Sequence, residues 1–147
     1  MRVRYAEVDR MGYLWHGHYL AYFEQARTDW FRARGGTYRA LEDAGTLLVV
    51  VETGVRFRKP AGYDDEVVVV SRLVSAEGVR LRFEYEVRRG RDLLATGFTE
   101  LACADRSGRP VRPPGELLAL VEAPPRDPSG RSAGTPEGPA AVQGGRS

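Results

Sequence analysis

The chain has a single cysteine, a single lysine, no isoleucine and no asparagine. Cys103 on its own excludes an intrachain disulfide, and no N-terminal stretch joins a basic start, an apolar run and a small-residue cleavage site. A cytoplasmic location is therefore expected. Crossing a bilayer as a helix takes roughly 20 apolar residues, which no segment approaches, so no stable membrane insertion is expected. A dominant charge is missing too: 22 Lys+Arg against 20 Asp+Glu leave a net charge of +2, which argues against a nucleic-acid partner held by bulk attraction. Lys59 being the only lysine, arginine carries almost all the positive charge. Its rigid donor fork suits phosphates and carboxylates, but a GC-rich coding sequence produces the same bias and explains the missing isoleucine and asparagine.

What is present is enough for one core: 147 residues, of which 42% are hydrophobic, fit one domain and fall short of two. Val3-Arg4-Tyr5-Ala6-Glu7-Val8 alternates as a strand does and runs into a turn at Gly12. Over residues 17–34, Tyr19, Leu20, Phe23, Ala26, Trp30 and Phe31 recur at helical spacing, and Gly35-Gly36 stops the helix. A short helix over 38–44 ends at Gly45, after which the pattern is β-rich to about residue 105. Strict alternation over residues 79–87 puts apolar residues on one face and Arg or Glu on the other. Turn residues at 76–78, 89–92 and 107–108 bound neighbouring strands over 66–75 and 93–104, which predicts an antiparallel meander. Pro113-Pro114 introduces a last short helix over 116–122. Residues 124–147 hold almost no large apolar side chain and are expected to form a disordered Pro/Gly-rich tail behind a domain of residues 1–123.

A long helix whose broad apolar face must be covered by antiparallel strands gives an α+β architecture in which the sheet wraps the helix. Such a protomer leaves much sheet exposed, and pairing with a second copy would cover it.

The chemistry concentrates between Tyr5 and Arg27. Asp9 stands just before the Gly12 turn, which leads into the start of the long helix near His16 and Gly17. The first helical turn offers N–H groups without intrahelical partners and a dipole that favours negative charge, so an acyl oxygen lying there is polarised and its oxyanion stabilised. A carboxylate beside it can attack the carbonyl carbon or deprotonate water. An aspartate before a glycine is equally a helix cap or turn former, and the local pattern leaves both readings open.

The longer pattern Tyr5-x-Glu7-x-Asp9-x-x-Gly12-x-x-x-His16-x-x-Tyr19-x-x-x-Phe23-Glu24-x-x-Arg27 resembles the signature of the 4-hydroxybenzoyl-CoA thioesterase-like, or Tol–Pal-associated acyl-CoA thioesterase, branch of hotdog-fold proteins. The likeness extends through Val55-Arg56-Phe57-Arg58-Lys59-Pro60 and Tyr63-Asp64-Asp65 and covers about residues 2–122. It implies an α+β hotdog fold, a homodimer or a homotetramer built from dimers, and hydrolysis of an acyl-CoA thioester without metal or cofactor, coenzyme A being part of the substrate. It implies Asp9 as nucleophile or general base, with the backbone N–H at His16 facing the thioester oxygen; the helix start around Trp15, His16 and Gly17 is expected to hold the oxyanion, and the His16 ring either to hold Asp9 or water by a hydrogen bond or only to pack. Gly12, Trp15, His18 and Tyr19 are then expected around the substrate, and Arg58, Lys59 and Arg80 near the coenzyme A phosphates. The branch often has asparagine where this chain has His18, which places a second titrating group at the expected pocket mouth.

Other readings are bounded. His16 and His18 are two apart and face different directions on a helix, against the i, i+4 spacing of helical metal pairs. Glu24 is a reserve catalytic carboxylate or the partner of Arg27 across one helical turn. Cys103, within Leu101-Ala102-Cys103-Ala104, reads as core. A non-catalytic acyl-CoA binding or sensing protein on the same fold is the alternative function.

Overall fold

The computed structural model describes residues 1–126. The tail expected over 124–147 lies outside the described residues from 127 onward; before that point the Arg126 N–H donates to the Ala33 carbonyl at 2.6 Å.

Helix α1 (His18–Arg32) buries Tyr19, Tyr22, Phe23, Ala26, Arg27, Trp30 and Phe31. The stripe is rotated slightly from the one the sequence suggests. Leu20 is exposed and Tyr22 is inside, its hydroxyl on the Glu7 carboxylate; positions 19, 22, 23, 26, 27 and 30 form a continuous i, i+3, i+4 row. The helix ends in a Schellman arrangement: Gly36 N–H reaches the Phe31 carbonyl and Gly35 N–H the Arg32 carbonyl, both at 3.0 Å, with Gly35 at φ +86°. A short α2 (Tyr38–Asp43) starts with the Thr37 hydroxyl accepting from Ala40 N–H.

The strands β1 (Leu47–Phe57), β2 (Val68–Glu77), β3 (Arg80–Arg89) and β4 (Asp92–Ala104) form one antiparallel sheet of order β1-β4-β3-β2. β2, β3 and β4 are the expected meander, and β3 buries Leu81, Phe83, Tyr85 and Val87 as its alternation requires. β1 pairs with β4, so the chain from β1 to β2 must cross one whole end of the sheet. A final helix α3 (Gly115–Glu122) buries Leu117.

α1 lies on the sheet through aromatic contacts. The Phe23 ring stacks on Tyr85 with centroids 4.3 Å apart and an interplanar angle of 4°, and Trp30 meets Phe83 edge-on at 5.2 Å. Gly97 makes room: a Cβ there would stand 2.4 Å from the Phe23 ring and 2.7 Å from the Gly54 carbonyl oxygen.

The expected first strand does not form. Residues Tyr5–Glu7 make a 3-10 turn, flanked only by the isolated bridges Arg2↔Glu66 and Val8↔Leu14. Glu7 causes this, since its carboxylate turns back to accept the Arg4 N–H at 2.8 Å and the Tyr22 hydroxyl at 2.7 Å, which an extended segment would not allow.

Gly97→Ala should destabilise the domain by about 2 kcal/mol, the scale of overpacking in a filled core. Urea denaturation checks this, and an unchanged midpoint would show that Phe23 is free to move aside.

Candidate active site

Two segments meet at the end of the sheet where β1 stops. The N-terminal residues fold into a small hairpin: Asp9 N–H donates to the Tyr13 carbonyl at 2.8 Å and Gly12 N–H to the Asp9 carbonyl at 2.9 Å. Gly12 sits at φ +79°, a left-handed conformation that glycine adopts without a side-chain clash. The β1–β2 crossing passes alongside, with Leu14 N–H on the Ala61 carbonyl at 2.7 Å and Val3 N–H on the Asp65 carbonyl at 2.9 Å. Residues 58–60 are thereby held beside the hairpin.

Between them lies a cleft of about 470 Å³ lined by Asp9, Met11, Tyr13, Leu14, His16, Tyr19, Phe57, Arg58, Lys59 and Pro60. Apolar and aromatic walls with a carboxylate and two cations at the rim suit a ligand that joins an apolar group to a charged one. Tyr19 packs edge-on against Phe57 with centroids 5.0 Å apart.

Asp9 combines both roles that the local sequence allowed. Its Oδ1 accepts the Met11 N–H at 2.8 Å and the Tyr13 N–H at 3.2 Å, which is the turn-forming role. Among the described residues nothing donates to Oδ2, so one carboxylate oxygen is anchored and the other is available.

The entry to α1 supplies donors. Trp15 N–H is taken by the Glu7 carbonyl at 2.8 Å, and His18 N–H by the Trp15 carbonyl at 3.0 Å. Among the described residues, neither His16 nor Gly17 N–H has a protein acceptor. These two groups, at the positive end of a 15-residue helix, can receive an oxyanion. Gly17 has a steric role as well: a Cβ there would stand 2.1 Å from the Trp15 ring, which folds over it.

Asp9, His16, Tyr19, Arg58 and Lys59 thus come together at one cleft, while other expected site residues stand elsewhere. Gly12 lines a second cleft on the other side of Asp9, with Tyr5, Val8, Arg10 and Tyr63. Trp15 is half-exposed beside the rings of His16 and His18. His18 does not reach the Asp9 cleft; the helical twist turns it to a separate groove with Arg4, Glu7 and Tyr22. Arg80 begins β3 at the opposite end of the sheet, where it pairs with Glu100 at 3.2 Å, because the site gathers at the far ends of β1 and β3. Lys59 is held at the cleft by Asp92 at 2.6 Å.

Glu24 is exposed and outside the cleft. Its expected pair with Arg27 is absent. Arg27 instead points inward, donating through Nε to the Tyr38 hydroxyl at 2.5 Å and through Nη1 to the Tyr85 hydroxyl at 2.9 Å. Cys103 is buried as expected, and burial pushes its thiol up.

Sequence reasoning assigned no role to Glu7. It is only 4% exposed, and besides Arg4 N–H and Tyr22 its carboxylate takes the Arg4 Nε at 3.0 Å and Nη2 at 2.7 Å. Burial opposes its charge, but the bonds from the Arg4 side chain, the Arg4 N–H and Tyr22 outweigh burial and hold Glu7 down at about 2. The signal that could have found it is a glutamate on the would-be inner face of an alternating segment, three residues after an arginine.

Residues 3–123 match the model of the thioesterase-like superfamily. An acyl-CoA thioesterase, YbgC, of Haemophilus influenzae is 31% identical over 121 residues, covering 81% of this chain and 89% of the relative. A Thermus thermophilus protein of known structure superposes with a TM-score of 0.78 at 38% identity, covering 82% of this chain and 93% of that one. The DHNA-CoA thioesterase of Staphylococcus aureus does so with a TM-score of 0.73 at 32% identity, covering 76% of each chain. The fold is the α+β hotdog of this class. The chain belongs to the thioesterase-like superfamily and is a thioester hydrolase.

The folded value of Glu7 lies below the usual 4.5, so its contribution to stability is complete above that pH and is lost as pH falls towards 2. Allowing for water around the exposed Arg4 side chain, the contribution is about 1–2 kcal/mol. Glu7→Gln should therefore melt below the wild type near neutral pH, with the gap narrowing in acid; a gap independent of pH would contradict this assignment.

Proposed function

We propose that this protein hydrolyses an acyl-CoA thioester to the free acid and coenzyme A at the Asp9 cleft. The observation that carries the reading is the pairing of a half-anchored carboxylate with two unpartnered N–H groups at the start of α1. Relatives bearing acyl-CoA thioesterase names support the substrate class.

In the proposed reaction the thioester carbonyl oxygen lies at the His16 and Gly17 N–H groups, which stabilise the tetrahedral oxyanion. The free oxygen of Asp9 either attacks the carbonyl carbon, forming a mixed anhydride that water then hydrolyses, or takes a proton from the water that attacks it. In both routes the C–S bond breaks and coenzyme A leaves as the thiolate. Label from heavy-oxygen water found in the Asp9 carboxylate after a single turnover would establish the anhydride route with water attacking the Asp9 carbonyl carbon, since the general-base route places label only in the released acid. The chemistry uses protein groups and water alone.

Tyr13, Leu14, Tyr19 and Phe57 form the walls proposed for the acyl group, and Arg58 with Lys59 supplies cations for the coenzyme A phosphates. The proposal includes action in the cytoplasm as a homodimer or a pair of dimers. Strand β1 is a sheet edge whose Val49, Val50 and Val51 are each close to half-exposed, and Phe57 is exposed beside the cleft. A second copy paired there would cover this edge and close the open side of the site.

Asp9→Asn should keep the fold and lower thiol release from a panel of short, long and aromatic acyl-CoAs by about 100-fold or more. Equal turnover by this variant would eliminate the mechanism; binding of acyl-CoA by the wild type without thiol release would favour a non-catalytic binding protein. In solution at micromolar concentration the mass should be that of two or four chains. A fully active monomer would rule out a site shared between copies.

A further inference from the structure

Glu7 does not line the Asp9 cleft, yet it is tied to both halves of the proposed catalytic machinery. Its carboxylate accepts the hydroxyl of Tyr22, which stands on α1 one turn beyond His18. Its carbonyl accepts the N–H of Trp15, the residue immediately before the free N–H groups of His16 and Gly17. Its backbone leads through Val8 into Asp9, whose hairpin is closed by the Val8↔Leu14 bridge. The Arg4 N–H and guanidinium complete the set of partners, so every contact holds the carboxylate in one place. The attacking carboxylate and the oxyanion donors sit on different segments, a hairpin and a helix entry, and Glu7 bonds to each. Acyl transfer needs their separation held to a fraction of an ångström.

We propose that Glu7 is a positioning residue, and that its hydrogen bond with Tyr22 sets the separation between the Asp9 carboxylate and the His16 and Gly17 N–H groups. This rests on the hydrolysis proposed above. The carboxylate, held well below the usual carboxylate range, lies outside the Asp9 cleft; it acts through Asp9 and the helix entry.

The test compares wild type, Tyr22→Phe, Glu7→Gln and Asp9→Asn, with kcat and KM measured separately on one acyl-CoA that the wild type turns over. Circular dichroism and melting curves establish that each variant is folded at the assay temperature. Tyr22→Phe removes one hydroxyl and leaves the Arg4 bonds in place, so it keeps the test decisive if Glu7→Gln folds poorly. The expected result is a fall in kcat of about 10-fold for Tyr22→Phe and about 100-fold for Glu7→Gln, with KM within about threefold, as for misplaced rather than missing groups. Wild-type kcat in folded Tyr22→Phe overturns the positioning role, as does a loss confined to KM or one that only follows the folded fraction. If Asp9→Asn is inactive while Tyr22→Phe and Glu7→Gln match the wild type, the positioning role fails and the hydrolysis reading stands. Silence from the wild type across the acyl-CoA panel overturns the hydrolysis reading and the positioning role together.

Discussion

The contact on which the rest of the molecule depends is the flat stacking of Phe23 on Tyr85 above Gly97. It fixes how close α1 lies to the sheet and how the helix is rotated about its own axis. Every other inward residue of α1 follows from that rotation: Tyr19 reaches Phe57 at one end, and Trp30 and Phe31 reach Phe83 at the other. Close packing transmits such a choice, because a filled interior leaves no slack for the helix to slide. The start of α1, whose His16 and Gly17 N–H groups have no acceptor among the described residues, is consequently held against the end of the sheet where β1 and the crossing segment meet.

Two polar clusters sit inside this aromatic packing. Near the helix start, the Glu7 charge is shared between Arg4 and Tyr22. Deeper in, the Arg27 guanidinium meets two phenols and, among the described residues, no carboxylate. Burial opposes its charge, but the Tyr38 and Tyr85 oxygens outweigh burial and keep it protonated. Burial also pushes Tyr38 itself up to about 12, so the phenol remains a neutral acceptor. Tyr85 thus serves twice, its face under Phe23 and its hydroxyl on Arg27. Buried polar groups satisfied in this way favour one arrangement of helix on sheet over its near alternatives, since any shift would strand a charge.

The site itself is built from chain that is neither helix nor strand. The Asp9 hairpin and the crossing segment are joined to each other by backbone hydrogen bonds, and both rest on the sheet end. Placing the proposed catalytic groups on such segments, over a rigid helix and sheet, lets the cleft vary without disturbing the core. The second cleft beyond Asp9, with the exposed Tyr5–Tyr63 pair, extends the same surface.

Much of this was readable along the chain. The alternation of β3, the meander around it, the glycine stops after α1 and α2 and the turn at Gly12 all follow from local periodicity and backbone preference, which neighbouring residues carry. The spacing from Asp9 to His16 was legible for the same reason, since a hairpin running straight into a helix is a local structure. Tertiary structure decided the rest. Periodicity does not say whether Leu20 or Tyr22 lies inside, and only the stacking of Phe23 on Tyr85 settles the rotation that buries Tyr22 and turns His18 away from the cleft. Arg27 looked like a surface partner for Glu24 until the sheet and α2 brought two phenols to it. Strand direction put Arg80 at the other end of the sheet from the Asp9 cleft, and Glu7 gained its place by meeting a tyrosine fifteen residues on. Local sequence determines what each segment prefers to be; which side chains meet depends on contacts between segments far apart in the chain, and those are settled only when helix and sheet pack.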